Sequence, residues 1–478
     1  MSQFMNLITS QVIPLTYVDA SISVVNSDII LFYENTARNA DFLNTSVLRE
    51  AFYKALEKFP VYLGYLRQRA DRGLAIVIDK DDLNMPNYLE STSDILFSDI
   101  KSSSYNPRTW PAGLMTTSMT PVPDQATGQI KMLHVHIVRF RESSGVAIFI
   151  SSCHGVTDGT GFYSFVNRWA DETRALMTGV SAPEIAVCFD RAVLVGDPTD
   201  ARAEVDNLLR VSITDLPPAA IALTLLSPME RNKVIHSRRP NADHQGCLYR
   251  IGHDKLEYLR DGVQKCTLDG PRLSINDALS ALIAKTVSQA QFANTTGLID
   301  QPSKSGDMAH LHLTTIACDC RRHLGISDMG YIGNAQYMSM VTNPVERIIQ
   351  ATTFETLAEA AIKIRHAINR VQAPQIRAYI DMINQHSALY MGPITRAKMY
   401  GLRTTISNQS RFGLYDIDFG YGAADFITSR PARLASMVTI LPTRPPSKDV
   451  YVSITDTPAV LESIHSNNFW RRFADLVY

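Results

Sequence analysis

A histidine and an aspartate four residues apart are the residues of this sequence whose types and spacing most directly suggest chemistry. Residues 153–159 read Cys-His-Gly-Val-Thr-Asp-Gly, which places His154 and Asp158 in one short segment. Neutral imidazole near pH 7 can take the proton of an attacking hydroxyl or amine. Asp158 either bends back to His154 on a tight turn or points away and holds the loop through an ion pair, and the spacing leaves both open. A lone motif of this kind is more often structural than catalytic, so its context must decide.

Two potential nucleophiles precede the histidine. If a strand extends to position 153, Cys153 and His154 point to opposite faces, and we interpret Cys153 as a small buried thiol. Ser152 shares the face of His154 but lacks the context of a nucleophile elbow. Acyl transfer from a thioester would need only a histidine base, a hydrogen-bond donor for the oxyanion and a cleft for both substrates.

The elements around this motif predict a strand-to-helix junction. Residues 133–138 alternate with a period of two, residues 142–145 form a turn, and residues 146–152 read as the next strand. Residues 162–175 read as a helix, so His154 leaves the end of a hairpin. The other predicted strands are 29–33, 74–78, 248–251, 310–318, 434–441 and 450–454, and the other predicted helices are 46–59, 276–289, 354–371 and one beginning after Thr457 and Pro458.

The length of the chain predicts two lobes. The 478 residues exceed what one hydrophobic core usually supports. Residues 1–190 and 244–478 alternate strands and helices in a similar way, whereas residues 191–243 are punctuated by proline and read as a crossover. We therefore expect an N-terminal lobe that carries the histidine motif, a crossover segment, a C-terminal lobe and a cleft between the lobes.

Composition and charge exclude several classes of function. A formal net charge of −1 gives no electrostatic reason to bind nucleic acid or an anionic membrane. The most apolar stretch, 217–226, is about half the length needed to cross a bilayer, and residues 1–15 lack the pattern of a signal peptide. Six scattered cysteines do not make a disulfide framework, so we expect a cytoplasmic protein.

Metal and nucleotide sites are not indicated either. His134 with His136, and His310 with His312, form His-x-His pairs on predicted strands, but no matched carboxylates accompany them. We expect these histidines to be structural and no metal to be bound. A phosphate-binding glycine loop is also missing from the sequence, so ATP or NAD chemistry has no support.

Several segments of the chain resemble the BAHD acyltransferase family, which shares its fold with chloramphenicol acetyltransferase. Residues 154–159 match the family's His-x-x-x-Asp-Gly, and residues 418–422 read Asp-Phe-Gly-Tyr-Gly where the family has Asp-Phe-Gly-Trp-Gly. Residues 319–322, 331–334 and 274–279 resemble its Asp-x-Arg, Tyr-x-Gly-Asn and Ser-x-Asn-Asp-Ala-Leu segments. Each island is weak alone, but together they follow the family's order over nearly the whole chain.

The resemblance implies an α/β fold with two chloramphenicol-acetyltransferase-like lobes, each a mixed β-sheet flanked by helices, and an active-site channel between them. It implies that His154 is the general base in mid-channel and that Asp158 pairs with Arg321, which fixes the histidine loop. The C-terminal lobe would carry the second signature as a structural loop near the CoA side. The further residues expected to support the site are Gly159, Asp418, Gly420 and Gly422.

The sequence departs from the family at two places. Cys153 stands where the family often has a second histidine that is not the base. Residues 407–409 read Ser-Asn-Gln where the family tends to carry Thr-Ser-Trp, so Ser407 keeps a hydroxyl that could donate to the oxyanion. Gln409 and Tyr421 each replace an aromatic residue. We therefore expect an acceptor unlike those of plant phenolic transferases.

A basic cluster in the crossover is a candidate for binding the phosphates of CoA. Arg238 and Arg239 lie beside three other residues that can carry positive charge: Arg231, Lys233 and His236. Basic side chains bind phosphate groups in this way, but a solvated polar loop is the competing interpretation.

Together these features predict an acyl-CoA-dependent O-acyltransferase. Acetyl-CoA is the expected co-substrate, a hydroxyl of a small specialised metabolite the expected acceptor, and no cofactor is expected to stay bound. We expect a monomer that acts in the cytoplasm without a nucleic-acid or membrane partner. Two alternatives stay open: a condensation-type enzyme that uses a carrier-protein thioester, and a non-catalytic ligand-binding protein of the same fold.

Overall fold

The structure is a computed structural model that describes residues 7–71, 73–124, 127–194, 196–197, 244–267, 270–294, 311–385, 403–431 and 436–478. Its strands are β1 (Gln11–Pro14), β2 (Asn26–Glu34), β3 (Tyr65–Gln68), β4 (Leu74–Ile78), β5 (Asn87–Thr92), β6 (Leu133–Arg139), β7 (Gly145–Cys153), β8 (Gln245–Ile251), β9 (Leu311–Asp319), β10 (Gln336–Pro344), β11 (Arg403–Asn408), β12 (Phe426–Thr428), β13 (Met437–Pro442), β14 (Val450–Asp456) and β15 (Ala474–Leu476). Its α-helices are α1 (Tyr17–Ile22), α2 (Thr45–Lys58), α3 (Phe97–Ser102), α4 (Gly159–Thr178), α5 (His253–Lys265), α6 (Ile275–Asn294), α7 (Arg321–Leu324), α8 (Val345–Ile348), α9 (Phe354–Asn369), α10 (Ala373–Gln385), α11 (Pro458–His465) and α12 (Asn468–Arg471).

The first lobe is built on a five-stranded sheet in the order β12-β2-β7-β6-β5. The central strand, β7, is buried along all of its length, as expected for a strand with neighbours on both sides. One face of the sheet packs against α2 and α4, where Phe52 lies in edge contact with Phe165 and Trp169. A separate three-stranded sheet, β1-β4-β3, packs against the same core.

The second lobe contains a seven-stranded sheet in the order β10-β9-β11-β13-β14-β8-β15. Its strand β11 runs parallel to both neighbours, β9 and β13, while the other pairs are antiparallel. Apolar residues of this sheet, such as Ile406 and Val438, pack against α6 and α9. The predicted mixed α/β architecture is therefore confirmed.

The sheet of the first lobe contains a strand from the second half of the chain. Strand β12 comes from the second half, yet it pairs with β2 of the first lobe, with Phe426 opposite Phe32. Most of the predicted crossover, 198–243, lies outside the described residues. The lobe limits expected from the sequence stay a prediction. Those limits do not anticipate that β12, from the second half of the chain, joins the sheet of the first lobe.

Most predicted elements are present, with shifted ends. The strand predicted at 74–78 is confirmed as β4 with the same bounds. The helix predicted at 46–59 is α2, which begins after the N-cap Asn44. The helix predicted at 162–175 is α4, which begins earlier, at Gly159, because Asp158 caps it. No helix among the described residues is long and apolar enough to cross a membrane.

Candidate active site

His154 follows directly on the central strand of the first lobe. Its backbone N–H donates to the carbonyl of Val25 at 2.9 Å, which extends the pairing of β7 with β2 by one residue. Its own carbonyl accepts from the side-chain amide of Asn334 at 2.9 Å. The position of His154 is therefore set by the segment preceding β2 on one side and by Asn334 of the second lobe on the other.

Asn334 also orients the imidazole ring. Its Oδ1 lies 3.1 Å from His154 Nδ1, while its Nδ2 donates to the carboxylate of Asp19 at 2.7 Å. Because the amide nitrogen faces two acceptors, the amide oxygen faces the ring and accepts the Nδ1 proton. The lone pair of the neutral imidazole then lies on Nε2, which is the arrangement a general base requires.

A buried carboxylate holds Asn334 in turn. Asp19 has no solvent-exposed surface and accepts from the backbone N–H of Asn334 at 2.9 Å as well as from its side chain. Its second oxygen accepts from the hydroxyl of Thr16 at 2.8 Å and lies 3.4 Å from Arg191 Nε. Arg191 also donates to the carbonyl of Val156 at 2.6 Å, inside the histidine loop.

These supporting residues were missed by the sequence interpretation. The only local signal is the Thr-x-x-Asp capping box formed by Thr16 and Asp19, which indicates a helix start and no more. Asn334 was part of a segment resembling the family, but no role was assigned to it.

The structure decides between the two orientations left open for Asp158. One oxygen accepts from the backbone N–H of Gly161 at 3.1 Å and from Arg321 Nη2 at 2.9 Å. The other accepts from Arg321 Nη1 at 2.8 Å and from the backbone N–H of Ala335 at 3.0 Å. Asp158 therefore points away from His154 and forms the ion pair with Arg321 that the resemblance implies.

The guanidinium of Arg321 has further partners besides Asp158. It donates to the carbonyls of Tyr331 and Gly333, each at 2.9 Å, and contacts the carboxylate of Asp319 at 3.2 Å. Burial alone would lower the pKa of its guanidinium, but the Asp158 and Asp319 carboxylates raise it above its ordinary value. The pair ties the N-terminus of α4 in the first lobe to α7 in the second.

The two lobes line one cleft, with an empty volume of about 1310 Å³ that extends into open solvent. His154, Thr160 and Tyr163 line it from the first lobe, and Ser407 and Gln409 line it from the second. The structure therefore brings Ser407, the predicted oxyanion donor, to the same cleft as the predicted base. Concave sites of this kind, lined by apolar and a few polar side chains, commonly bind small molecules.

Comparison with known proteins decides the family. The model of a family described as the transferase family matches residues 6–469 of this chain. The chain belongs to the BAHD acyltransferases of this family. It is 22% identical over 454 residues to rosmarinate synthase from Plectranthus scutellarioides, covering 93% of this chain and 90% of that protein. It is 22% identical over 466 residues to anthranilate N-benzoyltransferase protein 1 from Dianthus caryophyllus, covering 93% and 91%.

The solved structures show the same fold. TRI101 of F. graminearum, crystallised with coenzyme A and T-2 mycotoxin, superposes with a TM-score of 0.69 at 14% identity, covering 98% of this chain and 100% of that chain. The chloramphenicol-acetyltransferase-like fold expected for this acyltransferase is thus confirmed. The acyltransferase class is shown by the family.

The second signature of this acyltransferase forms a closed loop on the first lobe. Asp418 Oδ1 accepts from the backbone N–H groups of Gly420 at 2.7 Å and Gly422 at 2.8 Å. Both glycines have positive φ, 96° and 83°, a region that favours glycine. Phe419 is fully buried in edge contact with Trp169 of α4. Asp418 to Gly422 do not contribute to the described lining of the cleft.

Gly159 packs against Phe412 of the second lobe. A Cβ atom built there would lie 2.7 Å from Phe412 Cε2, too close for a normal contact. Any side chain at position 159 would therefore force the ring of Phe412 to move.

Cys153 is not placed for catalysis. Its thiol is buried and lies 3.6 Å from the carbonyl of Ser23. Burial raises the pKa of Cys153 to about 11, which keeps it a thiol at neutral pH. Ser152 is buried too, with its hydroxyl 3.4 Å from that of Tyr62.

The remaining candidates lie away from the cleft or beyond the described residues. His134 contacts the side chain of Asn87, and His136 contacts the hydroxyl of Ser91. Within the described ranges, no group of three or more histidines, cysteines and acidic residues is arranged to hold a metal ion. The positions of Arg238, Arg239 and His310 lie outside the described residues. The two arginines therefore stay a prediction.

Proposed function

We propose that this acyltransferase transfers an acyl group from acyl-CoA, with acetyl-CoA as its donor, to a hydroxyl group of a small specialised metabolite. The observation that carries the proposal is the placement of His154 in the inter-lobe cleft with its Nδ1 proton held by Asn334. That arrangement leaves the lone pair of the neutral ring on Nε2, in a residue that lines the cleft shared by the two lobes. The fold shared with TRI101, whose structure contains coenzyme A, supports an acyl-CoA donor.

In the proposed reaction, His154 Nε2 removes the proton of the acceptor hydroxyl as its oxygen attacks the thioester carbonyl carbon. The carbonyl oxygen becomes an oxyanion, and the hydroxyl of Ser407 donates a hydrogen bond to it. The tetrahedral intermediate collapses with cleavage of the C–S bond, and the imidazolium returns its proton to the leaving sulfur. The products are an ester and free CoA, and no covalent enzyme intermediate forms.

The Asp158–Arg321 pair acts in this mechanism as a scaffold. Asp158 caps α4 and binds Arg321 across the lobe boundary, so it holds the C-terminal end of the loop that carries His154. Preorganisation matters because a small misplacement of a base can cost about 10²-fold in rate.

The central test replaces the base. Purified protein is mixed with acetyl-CoA, benzoyl-CoA or a hydroxycinnamoyl-CoA and a mixed alcohol library, and free thiol and acylated product are measured. We expect ester formation by the wild type and a loss of roughly 10²–10⁴ in kcat for His154→Ala, with unchanged thermal unfolding. Near-full activity of His154→Ala would refute the assigned base.

A second arm of this test distinguishes the acyl donor. The same acceptors are offered together with an acyl-loaded carrier protein instead of acyl-CoA. Turnover with the carrier protein and none with acyl-CoA would contradict the proposed donor and favour a condensation-type enzyme.

Arg238 and Arg239 are proposed to bind the CoA phosphates. Losing a charged hydrogen bond costs about 1.5–3 kcal/mol, so replacing both with Ala should raise the KM for acyl-CoA by roughly tenfold or more and leave kcat unchanged. Arg260→Ala, at a partly exposed arginine paired with its neighbour Asp261, is the control. An unchanged KM in the double variant would remove these residues from the proposed site.

We also propose that the enzyme acts as a cytoplasmic monomer without a permanently bound cofactor. Size-exclusion chromatography with light scattering should give a mass near 53.2 kDa. A mass of twice that value would contradict the monomer.

A further inference from the structure

The hydroxyl of Ser407 belongs to a chain of hydrogen bonds that crosses the cleft. Tyr163, on α4 of the first lobe, donates its hydroxyl proton to Gln409 Oε1 at 2.8 Å. Gln409 Nε2 in turn lies 3.4 Å from Ser407 Oγ. All three residues line the cleft that contains His154.

The chemistry of the amide sets the direction of these bonds. A carbonyl oxygen can only accept, so the Tyr163 hydroxyl must donate to it; an NH₂ group can only donate, so Ser407 Oγ must accept. The hydrogen of Ser407 is then not consumed by Gln409. It is left to donate elsewhere, and the cleft lies beside it.

The backbone around Gln409 holds its side chain in place. Its N–H donates to the carbonyl of Ile440 at 2.8 Å, which continues the pairing of β11 with β13, and its carbonyl accepts from the N–H of Phe412 at 3.1 Å. The ring centroids of Phe412 and Tyr163 lie 5.5 Å apart, and the ring of Phe412 packs against Gly159. Gln409 is therefore anchored to the sheet of one lobe, and its partner Tyr163 lies on the helix that begins at the histidine loop.

We propose that Gln409, held by Tyr163, is a positioning residue that aims the Ser407 hydroxyl hydrogen at the thioester oxyanion. The inference rests on the proposed function and assigns a role to a position where the family tends to have tryptophan. A tryptophan side chain has one N–H donor and no acceptor, so it could not relay a hydrogen bond between Tyr163 and Ser407. In this chain the oxyanion donor is oriented by a polar relay.

Gln409→Glu is the most direct probe of the relay. A carboxylate has the same shape but only accepts, so it keeps the bond from Tyr163 and forces Ser407 to donate to it. The Ser407 hydrogen is then withdrawn from the oxyanion. Gln409→Met removes both bonds and keeps a similar volume.

The experiment is a double-mutant cycle on kcat and on the KM for acyl-CoA, with Ser407→Ala as the second substitution. We expect Ser407→Ala to lower kcat by roughly 10²-fold and Gln409→Glu by a similar factor, with the KM changed less than threefold. In the Ser407→Ala background, Gln409→Glu and Gln409→Met should cost less than twofold more, because their effect acts through Ser407.

Tyr163→Phe should cost about 3- to 10-fold in kcat, and that loss too should vanish in the Ser407→Ala background. Tyr62→Phe is the matched control: Tyr62 is a buried tyrosine whose hydroxyl contacts Ser152 at 3.4 Å outside the described cleft lining, and its removal should leave kcat within twofold. Thermal unfolding of each variant checks that the protein is folded.

The possible outcomes separate this proposal from the proposed function. Losses for Gln409 and Ser407 that multiply in the double variants would overturn the relay. Full activity of Ser407→Ala, with His154→Ala inactive, would overturn the relay and leave acyl transfer intact. If the wild type releases no CoA from any thioester with any acceptor, both proposals fail.

Discussion

At the scale of single residues, the hydrogen bonds between neighbouring side chains set the orientation of His154. The Nδ1–H of His154 donates a hydrogen bond to Asn334 Oδ1, and Asn334 Nδ2 donates to the carboxylate of Asp19. The three residues are joined by side-chain contacts, so the ring of His154 has one preferred tautomer and one orientation. Asn334 is therefore expected to act on rate through His154.

Replacing Asn334 with Ala should lower kcat by up to about 10²-fold, because the imidazole loses the partner that fixes its tautomer. In a His154→Ala background the same substitution should change kcat little. Asn84→Ala is the control: Asn84 is equally buried and donates to the carbonyls of Gly64 and Ile130, so its loss should lower stability without lowering kcat. Steady-state kinetics below the unfolding temperature measures kcat for both variants. Equal rate losses in the two variants would contradict a role for Asn334 at the ring.

The Asp158–Arg321 pair is expected to act on stability as well as on rate. Asp158→Ala leaves a buried guanidinium without its main partner, which should cost about 3–5 kcal/mol in the free energy of unfolding measured with urea. Asp319→Ala removes the longer, partly exposed contact to the same arginine and should cost about 1 kcal/mol or less. Losses of equal size would show that burial does not distinguish the two carboxylates.

At the scale of elements, helix α4 connects the two signatures of the family. Its N-terminus begins at Gly159 after Asp158, and its Trp169 packs against Phe419 of the loop from Asp418 to Gly422. Arg174, further along α4, donates to the carbonyl of Asp418. The loop thus stabilises the helix whose first turn supports the histidine loop.

Gly422 provides a specific test of this loop. Its φ is 83° and a Cβ would have nothing within 4 Å, so Gly422→Ala introduces backbone strain without a clash. We expect a loss of about 1–2 kcal/mol in unfolding free energy, measured by urea denaturation. Gly422→Asn should lose less, because asparagine tolerates positive φ better than alanine. A larger loss for Asn than for Ala would contradict strain as the cause.

At the scale of the whole molecule, burial of neutral histidines makes the free energy of unfolding depend on pH. His312, on β9, is fully buried near the hydroxyls of Thr314 on the same strand and Thr404 on β11, and burial lowers its pKa to about 3. The pKa of His134 is lowered to about 4, mainly by burial and against the attraction of Asp28. The unfolded chain binds protons at these groups below about pH 6.5, whereas the folded protein binds them only near pH 4 at His134 and near pH 3 at His312.

The sign of the effect follows from this difference. The unfolding free energy should fall as the pH drops from about 6.5, the unfolded pKa, towards the folded pKa of His312, about 3. His312 alone should account for about 3 kcal/mol of the loss between pH 6.5 and pH 4. His312→Gln should flatten the pH dependence in urea unfolding by that amount. Identical slopes in His312→Gln and wild type would show that His312 does not contribute.

The sequence alone determined much of this protein. Local periodicity predicted β7, α2 and α4, because the burial of one face is encoded in residues two, three or four positions apart. The order of short family motifs predicted the lobed α/β fold and pointed to His154, Ser407 and the Asp158–Arg321 pair. Spacing alone left the direction of Asp158 open.

Only the tertiary structure decided what surrounds His154, the proposed base. Asn334 lies 180 positions from His154 and 315 positions from Asp19, so no local pattern joins them. Strand β11 was not predicted, because Arg403, Thr405 and Ser407 put polar residues on its cleft face while Ile406 alone provides a clear apolar signal on the other. The site forms where the end of β7 in one sheet and β11 in the other line the same cleft, and that arrangement depends on how the whole chain packs, which local sequence spacing does not encode.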